Sequence, residues 1–225
     1  MQKKSNNNLV YKSYTQNQYK PIEEKILLKP ISLKIAKLLS KTKIHPDHFS
    51  FMSMILVIFA GLILIYHHSA IYSSILLYIA LLFDKIDGDL ARAKGIASGK
   101  GQYLDGFLDQ LAEIFLTISI AISINFTNTI LLSLSVVGPI LFAYHGIAVP
   151  FYLNQIASTY IPDKTKKMNY LISLFAYNRA RHILLVIILL LINRSEYIFY
   201  IFPFVLVYTL LLFIKNVFIK KLIKR

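Results

Sequence analysis

Apolar positions run almost unbroken through six windows of the chain, 49–66, 70–83, 110–124, 129–153, 182–193 and 197–214. Runs of this kind, without alternation and separated by short polar connections, predict membrane-spanning helices. Several are shorter than the roughly 20 residues that a bilayer requires, so those helices must extend into neighbouring polar residues. The pattern differs ahead of the first window. Within "PIEEKILLKPISLKIAKLLSKTKIHP", Ile31, Ile35, Leu38 and Leu39 share one helical face, with Lys34, Lys37 and Lys41 around it. That pattern predicts a helix lying in the membrane interface, and it is equally compatible with an amphipathic helix packed on the bundle. Pro30 suits the first turn of this helix. Pro46 can break the chain before the first span, which Asp47 or Ser50 could cap.

The predicted architecture is an all-α integral membrane protein of one domain. Residues 1–20 form a polar, aperiodic tail, 21–45 an interfacial amphipathic segment, and 46–225 a six-span domain. A hydrophobic content of 56% over 225 residues is too high for an ordinary soluble fold. The first apolar window begins near residue 49, and no short apolar segment with a small-residue cleavage site precedes it, so no removable signal peptide is expected. With no cysteine, the chain has neither disulfides nor thiolate metal sites.

The formal net charge of +14 is unevenly spread. Lys and Arg crowd into the first 43 residues, the 92–100 loop, the 164–181 loop and the C-terminal KKLIKR, while the 67–69 and 125–128 connections carry none. With six spans, every basic segment falls on one face, which the positive-inside rule makes cytoplasmic together with both termini. Only Arg194, beside Glu196, falls on the other side. Juxtamembrane basic residues of this kind attract anionic lipid headgroups, so the charge points to membrane lipids as partners rather than to nucleic acid.

Against this apolar background the stretch "DKIDGDLARAKGIASGKGQYLDGFLDQ", residues 84–110, stands out. Asp84 and Asp87 are three residues apart and Asp105 and Asp109 are four apart, so each pair shares one helical face. A short loop from Gly95 to Gly101 makes the two helices antiparallel neighbours and turns the faces toward each other. Four carboxylates in one apolar pocket would be destabilising unless cations neutralise them. Oxygen-only ligands favour Mg²⁺, Mn²⁺ or Ca²⁺ over zinc, and Mg²⁺ typically leaves positions for phosphate oxygens. Gly88 and Ala91 remove bulk on the same helix, and Arg92, one turn on, suits a phosphate. The alternative is that these are loop-end charges paired with Arg92, Lys94 and Lys100.

The stretch fits, without a mismatch, the signature D-x-x-D-G-x-x-A-R, eight residues, then G-x-x-x-D-x-x-x-D, and so resembles the CDP-alcohol phosphotransferase family. The match runs through Asp84, Asp87, Gly88, Ala91, Arg92, Gly101, Asp105 and Asp109. The resemblance extends loosely to the six-span layout, the interfacial helix and the "HPDHFS" entry to span one, where members often have Pro-Asn followed by Thr. It implies transfer from a CDP-linked alcohol, with an acceptor hydroxyl attacking the β-phosphorus and CMP leaving. It further implies that Asp84, Asp87, Asp105 and Asp109 hold two metal ions between spans two and three at the cytoplasmic face, that Asp109 is also the general base, and that Asp87, Gly88, Ala91, Arg92, Gly101 and Asp105 bind the CDP part. A homodimer is the family expectation.

The donor is either CDP-diacylglycerol with a water-soluble acceptor or a CDP-linked headgroup, choline or ethanolamine, with a lipid acceptor; the signature does not separate them. Arg179 and Arg181 at the head of span five, with Lys164, Lys166 and Lys167 upstream, would suit an acceptor with its own phosphate. These basics and the interfacial helix resemble the branch that makes phosphatidylinositol phosphate or di-inositol phosphate, although members often show Glu-Arg where this chain has Asn178-Arg179. Simple positive-inside topology accounts for the same basics. Glu113, one turn past Asp109, either orients a ligand or makes a polar contact between helices. Asp89 faces away from Asp84 and Asp87 and pairs with a Lys. His67, His68, His145 and His182 lack partners at ligand spacing and read as interfacial. A divalent-cation transporter is the rival from another class, but it predicts acidic residues on several spans, and spans one, four and six have none.

Overall fold

A computed structural model describes residues 24–143, 179–204 and 207 of the chain. The described residues are helical, without strands. A π-helical turn, Glu24–Leu28, leads into α1 (Lys29–Leu39), followed by α2 (Asp47–His67), α3 (Ala70–Ala93), α4 (Gly99–Ser123), α5 (Thr129–Ala143) and α6 (Arg179–Leu191). A 3₁₀ turn, Ser195–Tyr197, precedes helical residues 198–204. Helices α2 and α4 are long and apolar enough to cross a membrane. Helix α3, with 24 residues, reaches about 36 Å, and its charges are gathered in the last turns. The 110–124 window is continued by the polar first turns of α4, as a short apolar run requires. Windows 129–153 and 197–214 continue beyond the described residues.

Helix α2 is the centre of the assembly. It packs against both α3 and α4, while α6 packs on α3 and α5 on α4. The core runs along these contacts through Val57, Leu64, Leu77, Leu81, Leu116 and Ile183. Small and hydroxyl residues bring the backbones together. Ser53 Oγ donates to the Ala80 carbonyl at 3.0 Å and Ser73 Oγ to the Ala60 carbonyl at 2.8 Å, tying α2 to α3. Gly61 lets α4 approach, because a Cβ there would lie 2.6 Å from Ser119 Oγ and 2.8 Å from the Phe115 ring.

Three local expectations are corrected. The two aspartate-bearing helices are not a tightly packed pair; α2 packs with both, leaving the carboxylates to fill the space between α3 and α4. The connection is shorter than Gly95 to Gly101, comprising residues 94–98. Gly95 ends α3 at φ +67°, with Ile96 N–H bonding the Ala91 carbonyl and Gly95 N–H bonding that of Arg92. Ser98 caps α4 by accepting from Gly101 N–H at 3.1 Å, so Gly101 lies in the first turn of a helix. Finally, neither Asp47 nor Ser50 caps α2. Pro46 takes the capping position, leaving Ser50 free to turn inward.

Of the two readings of the N-terminal segment, packing on the bundle is what helix α1 shows. It docks on α3 through small residues, Ser32 and Ala36, with Leu28 buried just ahead. Ile31, Leu33 and Leu38 remain exposed, the last at 74%, a face suited to lipid.

Candidate active site

The last turns of α3 carry Asp84 and Asp87, α4 carries Asp105 and Asp109 in its first half and Glu113 just past its middle, and α6 contributes its first residue, Arg179. Carboxylate oxygens of Asp84, Asp105 and Asp109 all lie within 4.8 Å of one another. Asp87 stands beside this triangle, close enough to interact with Asp105. One of its oxygens accepts from Ser50 Oγ at 2.6 Å, and the other meets the Gly88 N–H. The spacing of three and four residues thus brings all four carboxyls to one place, three as a cluster and the fourth pinned at its edge.

The donor set fits a hard divalent cation. All the ligands are carboxylate oxygens, and Asp105 Oδ1 is buried with no hydrogen-bond partner. A buried oxygen with a spare lone pair beside two further carboxylates is what such an ion requires.

Among the described residues, two cations of the chain itself lie against the cluster. Lys85 Nζ is 3.0 Å from Asp84 and 3.8 Å from Glu24, which is buried in the π-helical turn. Arg179 bridges the two helices: its Nη1 contacts Asp84 Oδ1 and lies 2.5 Å from Asp109 Oδ1, while its Nε is 3.7 Å from Glu113. Arg92 and Lys94, the loop-end alternatives, are engaged elsewhere. Lys94 donates to the carbonyls of Thr42 and Ile44 at 2.7 and 2.6 Å, and Arg92 pairs with Asp89 at 2.6 Å.

The bulk that Gly88 removes is used by a side chain of the same helix. A Cβ at Gly88 would lie 3.2–3.3 Å from the Arg92 guanidinium nitrogens, so the glycine makes room for that guanidinium. Ala91 is half-buried one position before it. Asp89 is 3% exposed and pairs with a lysine as expected, Lys29 of α1, while also accepting from Ser32 Oγ at 2.7 Å.

Glu113 is fully buried and makes the polar contact between helices, 3.5 Å from His182 Nδ1 on α6. His182 is therefore not interfacial; it is 6% exposed and packs edge-on against Phe202 with ring centroids 4.0 Å apart. His67 and His68 are exposed at the far end of α2. Arg181 is half-buried on α6, whereas Lys164, Lys166, Lys167, His145 and Asn178 lie outside the described residues. Sequence reasoning missed Lys85, Ser50 and Lys29. Ser50 had a signal, its place where relatives carry Thr after span entry; the lysines had none.

A family model described as CDP-alcohol phosphatidyltransferase matches residues 43–214, well over half of the chain. The chain belongs to this family. It is accordingly a membrane enzyme of phospholipid synthesis with the family's general activity, transfer from a CDP-alcohol donor to an alcohol acceptor. All four aspartates, Arg92 and Arg179 lie inside the matched range, whereas α1 and the turn before it lie outside. A comparison with curated proteins finds no match.

Proposed function

We propose that this enzyme transfers a phosphatidyl group from CDP-diacylglycerol to a hydroxyl of a polyol phosphate, inositol phosphate being the leading candidate, and releases CMP. The observation that carries the acceptor assignment is Arg179. A guanidinium delivered by a separate helix sits directly on Asp84 and Asp109, where an acceptor's own phosphate would meet a fixed, fork-shaped cation. A lipid acceptor such as diacylglycerol offers no anion to that group.

In this reading Asp84, Asp87, Asp105 and Asp109 hold Mg²⁺ or Mn²⁺, as two ions. Metal ions bound there supply charge neutralisation for the pyrophosphate and for the oxygens entering and leaving phosphorus. Asp109 takes the proton of the acceptor hydroxyl. The hydroxyl oxygen forms a bond to the β-phosphorus as the bond to the bridging oxygen breaks, and that oxygen leaves with CMP. Ser50 fixes the rotamer of Asp87 through its 2.6 Å bond, and Lys85 holds Asp84 from the opposite side. Arg92, with Gly88, Ala91, Gly101, Asp87 and Asp105, binds the CDP part. Arg181 and Lys164 extend the basic acceptor side. The proposed layout is six spans with both termini and the site cytoplasmic, in a homodimer.

The test is CMP release by purified protein in detergent with Mg²⁺. CDP-diacylglycerol is offered with inositol phosphate, glycerol phosphate, serine or inositol, and CDP-choline is offered separately with diacylglycerol. Release restricted to phosphorylated acceptors is expected. Release with CDP-choline and diacylglycerol alone would keep the active site and reverse the donor assignment.

A further inference from the structure

We propose that α1, which precedes the range matched by the family model, is a working part of the donor site: Lys29 and Ser32 hold Asp89, and Asp89 holds the Arg92 guanidinium over Gly88 for the nucleoside diphosphate. The inference rests on the reading that Arg92 binds the CDP part of the donor.

Asp89 is nearly fully buried, and its donors come from two elements: Lys29 and Ser32 from α1, and Arg92 from one turn along α3. Lys29 and Arg92 share Oδ1, while Ser32 takes Oδ2 at 2.7 Å. A carboxylate held at both oxygens by neighbouring backbone elements has one orientation, so the guanidinium bonded to it inherits that orientation. The small residues Ser32 and Ala36 permit the close docking that this requires, and Tyr78 anchors the start of the segment by donating to the Leu27 carbonyl at 3.2 Å. The far side of Arg92 is open: its side chain is 39% exposed, leaving guanidinium donors for a diphosphate. Since α1 also presents Ile31, Leu33 and Leu38 outward, the seating of an interfacial helix and the geometry of the nucleotide site are joined through one aspartate. Asp89, Lys29 and Ser32 are positioning residues, acting through Arg92.

The experiment measures Mg²⁺-dependent CDP binding by calorimetry on the full chain in detergent, together with donor KM and kcat. The proteins are wild type, Lys29→Gln, Ser32→Ala, Asp89→Asn, Arg92→Gln and the double variant Lys29→Gln/Arg92→Gln. Losing a residue that orients a ligating group weakens binding by about 10-fold, so Lys29→Gln and Asp89→Asn should each raise the CDP dissociation constant and donor KM by that order. Their kcat should fall by less than about twofold. In the double variant, Lys29→Gln should add nothing to Arg92→Gln, because both act through the same guanidinium. A further variant, Lys29→Arg, which keeps a cationic donor for Asp89, should bind CDP within about twofold of wild type. Should Asp89→Asn fail to fold, Ser32→Ala removes a single bond and still predicts weaker CDP binding in a folded protein. Wild-type CDP affinity in Lys29→Gln and Ser32→Ala, with Arg92→Gln impaired, would overturn the inference alone, as would losses that multiply in the double variant. Absence of CDP binding by the wild type would overturn the donor reading, and the inference with it.

Discussion

Replacing Arg179 by Gln removes a group that, among the described residues, touches carboxylates on both α3 and α4. The Arg179 side chain is 11% exposed and bridges Asp84, at 6%, and Asp109, at 13%, with the fully buried Glu113 a further 3.7 Å away. Removing one partner of a buried ion pair costs about 3–5 kcal/mol, because the opposite charge stays behind without compensation. Asp84 keeps Lys85 at 3.0 Å, which puts the expected loss near the lower end, about 3 kcal/mol. For a chain of this length each kcal/mol moves the midpoint by about 2–4 °C, so roughly 6–12 °C should be lost. The assay is thermal unfolding in detergent, followed by intrinsic tyrosine fluorescence, once with chelator and once with excess Mg²⁺. A cation at 100 times its dissociation constant stabilises by about 2.7 kcal/mol, close to the deficit. The variant should therefore recover most of its loss in Mg²⁺ and gain more from the ion than wild type, whose carboxylates are already partly neutralised by the guanidinium. A shift below about 2 °C in chelator, less than one kcal/mol, would refute the claim that Arg179 compensates the cluster. A full loss that Mg²⁺ leaves untouched would refute the claim that the same carboxylates bind the ion.

Three further outcomes are expected. Asp109→Asn should abolish CMP release while leaving folding and CDP binding largely intact; normal turnover would remove Asp109 as the base. Ser50→Ala strips a buried 2.6 Å bond from the Asp87 carboxylate and should cost about 1.5–3 kcal/mol in thermal unfolding, the range for bonds to charged groups, whereas an unchanged midpoint would mean that the carboxylate finds another donor. Gly61→Ala places a methyl 2.6 Å from Ser119 Oγ and 2.8 Å from the Phe115 ring, an overpacking worth about 1–3 kcal/mol. Ser119→Ala in the same chain should recover part of that loss, and additive losses would show that the clash is relieved elsewhere.

What could be read from the sequence was whatever depends on spacing along one helix. Three- and four-residue separations put Asp84 with Asp87 and Asp105 with Asp109 whatever the neighbours do, and the carboxylates do converge. The helix extents followed from the same logic, since a short apolar window can only be completed by the polar residues beside it. Caps were less legible. Asp47 and Ser50 are both good capping types, but burying Asp87 without a donor would cost more than leaving a helix end to water, and Ser50 serves the carboxylate. The face of α1 was legible as amphipathic but not as to which side docks, because Ser32 and Ala36 are chosen for closeness of approach rather than for hydrophobicity.

The cations that answer the acidic cluster show most clearly where sequence periodicity stops. Lys85 is adjacent to Asp84 in the chain, yet adjacent residues do not face each other on a helix. Its ammonium nevertheless reaches Asp84 at 3.0 Å, and lies 3.8 Å from Glu24, from a segment some sixty residues earlier. Arg179 arrives from the opposite direction, and no local pattern marks it above Arg181 two residues on. What separates the pair is the packing of α6 on α3, which turns the first residue of α6 into the gap that α2 keeps between the aspartate helices. The carboxylates are therefore set by local spacing, and their compensation is set by tertiary contacts. That division leaves the acidic framework to α3 and α4, while α6 delivers Arg179 to it and Glu24, just ahead of α1, lies beside the Lys85 that meets Asp84.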